Sequence, residues 1–156
     1  MTRALTVSID AMGGDAGPSV VVSALLKTIQ RHTDVNFILH GDEALLNPLL
    51  ARQPKLSGRA TIRHAPARVA MEDKPSHVLR RGKNTSMWHT IECVKAGEAD
   101  VAVSAGNTGA LMAVSMFGLG IIEGISRPAI AVIWPTLKGQ CVVLDEIGRA
   151  SCRERV

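Results

Sequence analysis

Tyrosine is absent from this chain, and its aromatics amount to two Phe and two Trp scattered over 156 residues. Single-stranded nucleic acids are gripped by stacking bases on aromatic side chains. The modest net charge of +4 therefore does not point to nucleic acid, and none is expected as a partner. No apolar run is long enough to span a bilayer, because Asn, Gly or a charged residue interrupts each one. The start, Met1-Thr-Arg-Ala-Leu5, leads straight into a strand pattern and lacks the apolar stretch and small-residue cleavage site of a secretory signal. A cytoplasmic location is the default expectation.

Other absences exclude reaction classes. Cys93, Cys141 and Cys152 are odd in number and lack metal-ligand spacing, so reduced, structural thiols are expected and no metal. His32, His40, His64, His77 and His89 form no H-x-x-x-H pair, and no G-x-S-x-G elbow offers them a serine nucleophile. A dinucleotide fingerprint is missing from Met12-Gly-Gly-Asp15 and from Gly106-Asn-Thr-Gly109. Gly82-Lys83-Asn84 lacks the upstream glycine and following hydroxyl of a P-loop. No cofactor is implied.

What is present alternates. Ala4 to Ile9 reads as a strand, Asp10 to Gly17 as a glycine-rich loop, and Pro18 to about Arg31 as a helix with Pro in its first turn. Val35 to Leu39 is a second strand, His40-Gly-Asp42 a turn with Asp42 as N-cap, and Glu43 to Leu50 a helix that Pro54 terminates. Ala60 to His64 is a third strand. After a polar stretch, Pro75 to Arg81 forms a short helix. Gly82 to Met87 opens another, capped by Thr85 or Ser86, which runs to about Ala96 and buries Ile91, Val94 and Met87. Val101 to Ser104 is a strand, and Ala110 to Leu119 a helix apolar all round, placed in a core or an oligomer interface. Ala129 to Ile133 is a strand that Trp134-Pro-Thr136 breaks, and Cys141 to Leu144 is the next. Strands alternating with helices predict a mainly parallel sheet covered on both faces. The tail 146–156 is charged and aperiodic; it reads as an artefactual, non-native end to an α/β domain over 1–145 that is truncated.

Ligands of open parallel sheets sit beyond the carboxyl ends of the strands. Three loops reach that edge: Asp10 to Gly17, Arg81 to Ser86 and Ser104 to Gly109. Their chemistry suits an anion. Lys83 offers a point charge, Asn84 and Asn107 offer amides, and Thr85, Ser86, Ser104 and Thr108 offer hydroxyls. Gly13, Gly14 and Gly106 let backbone N–H groups approach, and a helix start favours negative charge. Each residue also has a plainer reading: Lys83 as a solvated surface cation, Ser86 and Thr108 as caps, Asp15 as a prop for its own loop. Only their convergence on one edge favours a site.

Four segments carry a resemblance: Asp10-Ala-Met-Gly-Gly-Asp15, Arg81-Gly-Lys-Asn-Thr-Ser-Met87, Val103-Ser-Ala-Gly-Asn-Thr-Gly-Ala110 and Gly124-Ile-Ser-Arg-Pro128. In this order they resemble the landmarks of the PlsX family of acyl-ACP:phosphate acyltransferases over residues 1–145. The resemblance implies a three-layer α/β/α, Rossmann-like fold related to isopropylmalate dehydrogenases and phosphotransacetylases. It implies a homodimer associated peripherally with the membrane, partnered by acyl carrier protein and inorganic phosphate. The implied reaction makes acyl phosphate for phospholipid synthesis. Family members are roughly twice as long, and where they continue into Asp-Val-Gly-Ala-Asn this chain has Asp145-Glu-Ile-Gly-Arg149.

The expected catalytic residues are Lys83 and Asn107. Asp10, Gly13, Gly14, Asp15, Asn84, Thr85, Ser86, Ser104, Gly106 and Thr108 are expected to bind phosphate and substrate. Two other classes stand beside this reading: a phosphate acetyl- or butyryltransferase-like enzyme using acyl-CoA, and an inactive anion-binding fragment.

Overall fold

The computed structural model describes residues 3–125, 128–137 and 139–145. The chain divides into two units, Met1–Leu119 and Gly120–Val156. In the first, β1 (Leu5–Asp10) is followed by α1 (Pro18–Arg31), β2 (Val35–Gly41), α2 (Glu43–Ala51) and β3 (Ala60–His64). Then come α3 (Pro75–Arg81), a single 3-10 turn at Gly82–Asn84, α4 (Ser86–Lys95), β4 (Val101–Ser104) and α5 (Thr108–Leu119). The four strands form one parallel sheet in the order β3-β2-β1-β4.

Helices cover both faces, as a three-layer α/β/α Rossmann-like fold requires. On one face α1 and α2 bury Val22, Leu25 and Leu46 against Ile9, Phe37 and Leu39. On the other, α3, α4 and α5 share a second core of Val78, Met87, Ile91, Ala110 and Val114. Strand β1 serves both layers by alternation: Ile9 enters the first core, while Ser8 and Asp10 turn to α4. The buried Ser8 hydroxyl is satisfied by donating to Thr90 O at 3.0 Å.

Register between β1 and β4 is pinned at the opposite end. Thr6 N–H donates to the Asp100 carboxylate at 2.8 Å, Asp100 N–H donates to Thr6 O at 2.8 Å, and Arg3 forms an ion pair with the same carboxylate. This places Asp10 directly beside Ser104. The order of strand addition reverses at β1, with β2 and β3 added to one side and β4, still parallel, to the other. A crevice forms at such a switch point.

Several boundaries differ from the sequence reading. His40 and Gly41 belong to β2 rather than to a turn, although Asp42 does cap α2, accepting from Ala44 N at 2.9 Å. On helix α5 Ala110 and Val114 are buried in the second core, while Phe117 is 65% exposed in the single chain. In the second unit β5 (Ile130–Thr136) runs unbroken through Trp134 and Pro135, and pairs antiparallel with β6 (Gly139–Asp145). Proline is accepted in a two-stranded ribbon where its nitrogen faces away from the partner. Part of the Gly124 to Pro128 segment (residues 126–127) and the tail 146–156 lie outside the described residues.

Leu39, fully buried at the centre of the first core, offers a direct check on the packing. Leu39→Ala lowers unfolding free energy by about 3 kcal/mol, from lost transfer energy plus a residual cavity. Urea titration reads this as a lower midpoint with an unchanged slope.

Candidate functional site

The crevice is built around the Asp10 carboxylate, only 3% exposed at the end of β1. Three donors satisfy both of its oxygens. Ser86 Oγ donates at 2.6 Å from the first turn of α4, Ser104 Oγ donates at 2.8 Å from the end of β4, and Met12 N–H donates at 3.2 Å from the following loop. Ser104 Oγ also accepts from Gly106 N at 3.1 Å, which carries the network into the β4–α5 loop. One buried carboxylate thus ties together the three segments read as anion loops.

Glycine makes the contact between two of them possible. A methyl group at Gly13 would lie 2.7 Å from Asp10 Oδ2 and 2.8 Å from Gly106 N. Both distances are far inside van der Waals contact, so only a bare α-carbon lets the loops meet here. Gly14 follows with φ +88°, a left-handed conformation open to glycine, and packs on Ala105.

Asn107 turns out to be a clamp. Its Nδ2 lies 3.3, 2.8 and 2.9 Å from the carbonyl oxygens of Ala70, Met71 and Asp73, and its Oδ1 accepts from Ala110 N at 3.0 Å. It caps α5 and fastens the 70–73 segment over the crevice, so its amide is fully used. Thr85 is similarly committed: its hydroxyl donates to Gly82 O at 2.6 Å and caps α4 by accepting from Trp88 N at 3.3 Å. Ser86 was free to serve as the cap, but its hydroxyl goes to Asp10.

The groups left open are different ones. Lys83 and Asn84 sit exposed on the 3-10 turn, Asp15 and Thr108 are exposed, and the first N–H groups of α5 precede any intrahelical acceptor. Beside Met12, Gly14 and Asp15 opens a pocket of about 230 Å³, whose far wall is Arg68 to Glu72. Arg68 was not singled out in the sequence. Its signal, a lone Arg beside the apolar Val69 in a charged stretch, is no stronger than that of any surface arginine.

Further along the same edge His40 is 2% exposed, and neither ring nitrogen has a hydrogen-bond partner. It lines a second pocket of about 380 Å³ with Arg63, His64, His89 and Cys93. Burial, then the positive charge of Arg63 and the nearby His89, push its pKa down to about 4, against a smaller opposing pull from Glu98. Its cation is therefore disfavoured in the folded protein.

The family model for the fatty acid synthesis protein matches residues 5–155, and the chain belongs to that family. A phosphate acyltransferase of Azorhizobium caulinodans is 55% identical over 146 residues, covering 93% of this chain and 41% of that protein. Similar relatives of the same name come from Xanthobacter autotrophicus, at 53% over 93% of this chain and 41% of its own, and from Ruegeria sp., at 54% over 92% and 39%. The chain thus spans about two fifths of the curated relatives it matches. Among the described residues no helix is long and apolar enough to cross a membrane.

Two outcomes test this geometry. Asp10→Ala leaves the Ser86 and Ser104 hydroxyls and Met12 N–H without their shared acceptor, and lowers stability by about 3 kcal/mol, the scale for buried groups that lose a charged partner; urea titration measures it. For His40 the sign follows from its lowered folded-state pKa. The unfolded chain takes up this proton near pH 6.5 and the folded chain only near 4, so stability present above pH 6.5 is lost as pH falls through that window. His40→Asn flattens the fall between pH 7 and 5 in the same titration.

Proposed function

We propose that the crevice belongs to an acyltransferase that moves a fatty acyl group from acyl carrier protein to inorganic phosphate. The observation that carries this reading is the junction of the Gly13-Gly14 loop, the Ser104 to Thr108 loop and Ser86, at the end of the Lys83 segment, around Asp10, in a chain whose relatives are named phosphate acyltransferases. Lys83 holds phosphate as a point charge, with Asn84, Thr108 and the first amides of α5 supplying hydrogen bonds.

The reaction itself asks little of the side chains. A phosphate oxygen attacks the thioester carbonyl and forms a C–O bond. The tetrahedral oxyanion collapses with C–S cleavage, and the thiolate leaves and takes a proton from water. Phosphate is already a nucleophile at neutral pH, so positioning and oxyanion stabilisation do the catalysis. Of the amides in these loops, Gly13 N–H donates to Asp10 O at 3.4 Å and Gly106 N–H to Ser104 Oγ at 3.1 Å, so Gly14 N–H or Asn107 N–H is the oxyanion donor under this reading. Asp10, Ser86, Ser104, Thr85 and the Asn107 side chain act by positioning these loops.

The basic end of α3, Arg80 and Arg81, continues into Lys83 and suits the acidic surface of acyl carrier protein. Under this reading the whole enzyme is a cytoplasmic homodimer that meets the membrane peripherally, and its acyl phosphate feeds phospholipid synthesis. One observation favours a second reading: with about two fifths of its relatives' length, the chain alone binds the anion without turnover.

Acyl-phosphate formation, trapped as hydroxamate, is the test. With phosphate present, acyl-ACP outperforms the same acyl group on coenzyme A, and Lys83→Ala lowers the rate about 100-fold, the scale for one well-aimed charged or hydrogen-bonding group. Faster turnover of acyl-CoA, or wild-type rates for Lys83→Ala, contradicts the assignment. Phosphate binding without turnover supports the second reading.

A further inference from the structure

Asp73 takes no part in the proposed reaction, yet it folds the turn that Asn107 grips. Its backbone N–H donates to Ala70 O at 3.2 Å, and its carboxylate accepts from Ala70 N at 2.8 Å. Bonded to both sides of Ala70, the segment bends so that three carbonyl oxygens converge on one group. Those of Ala70, Met71 and Asp73 lie 3.3, 2.8 and 2.9 Å from Asn107 Nδ2. All three can only accept, so the amide must turn its nitrogen toward them and its oxygen away. That oxygen accepts from Ala110 N at 3.0 Å, and the Asn107 carbonyl accepts from Leu111 N at 2.9 Å.

The consequence falls on the first turn of α5. With Ala110 and Leu111 supplied, the N–H groups of Thr108 and Gly109, which precede any intrahelical acceptor, are the ones left for a ligand. The same strap touches this end directly: a methyl group added at Gly109 would lie 3.2 Å from Pro75 Cγ, two residues beyond Asp73. We infer that Asp73 is a positioning residue of the phosphate site, acting through the 70–73 turn and the Asn107 amide to fix the direction of the Thr108 and Gly109 N–H groups. The inference rests on the phosphate reading of the crevice for its ligand. Each link in it is a hydrogen bond between residues of the first unit.

Titration of the 156-residue chain with inorganic phosphate at constant ionic strength, followed through backbone amide signals, tests this. Asp73→Ala leaves Ala70 N–H without its acceptor and raises the dissociation constant about tenfold, the scale of one lost hydrogen bond. Asp73→Asn keeps an acceptor for Ala70 N–H and binds phosphate as the wild type does. A pure charge effect gives another pattern, since removing a carboxylate near a bound anion tightens binding in both variants. In an Asn107→Ala background Asp73→Ala has no further effect, because it acts only through that amide. Urea titration confirms that each variant is folded. One readout needs no variant: the Asn107 Nδ2 protons of the wild-type chain exchange slowly with solvent. Unchanged or tighter binding by Asp73→Ala, equal weakening by Asp73→Asn, additivity with Asn107→Ala, or fast Nδ2 exchange overturns the inference and leaves the phosphate site standing. Absence of phosphate binding by the wild-type chain overturns both.

Discussion

Everything at the carboxyl edge of this sheet depends on one buried carboxylate. Asp10 is taken out of water at the end of a parallel strand, a position that is tolerable only because α4, β4 and its own loop each send a donor. Stability and site geometry share these bonds, since losing any one of them releases a loop as well as an energy. A buried carboxylate beneath the proposed anion site is not a contradiction. Its hydrogen-bonding capacity is turned inward to Ser86 and Ser104, and the outward-facing groups are backbone N–H, Lys83 and Asn84.

The β1–β4 pairing gives the carboxylate its partners. Asp100 fixes the register at one end through Thr6, and Asp10 meets Ser104 at the other. Because β2 and β3 lie on the far side of β1, the loops after β1 and β4 diverge to opposite faces, and the crevice opens between them.

Much of this was legible in the sequence, for identifiable reasons. Pro18, Asp42, Pro75 and Thr85 punctuate helices by local chemistry, so those starts could be placed closely. Gly13-Gly14 between two aspartates announced a close approach, and the approach exists, although its partner, Gly106, is more than ninety residues away. The duties of Asn107 were not legible, because it binds carbonyl oxygens of residues 70–73, groups that every residue possesses. Nor was the antiparallel pairing of β5 with β6, since an apolar run does not encode the direction of its neighbour and Pro135 mimicked a break. Arg68 entered the crevice wall through tertiary packing alone.

The central claim is that the three loops form one anion-binding corner, and amide chemical shifts during titration with inorganic phosphate test it most directly. The account predicts a single saturable set of shifts covering Gly13, Gly14, Asn84, Gly106 and Thr108, with a common dissociation constant. Shifts confined to Arg80 and Arg81, or separate constants for the separate loops, would contradict it.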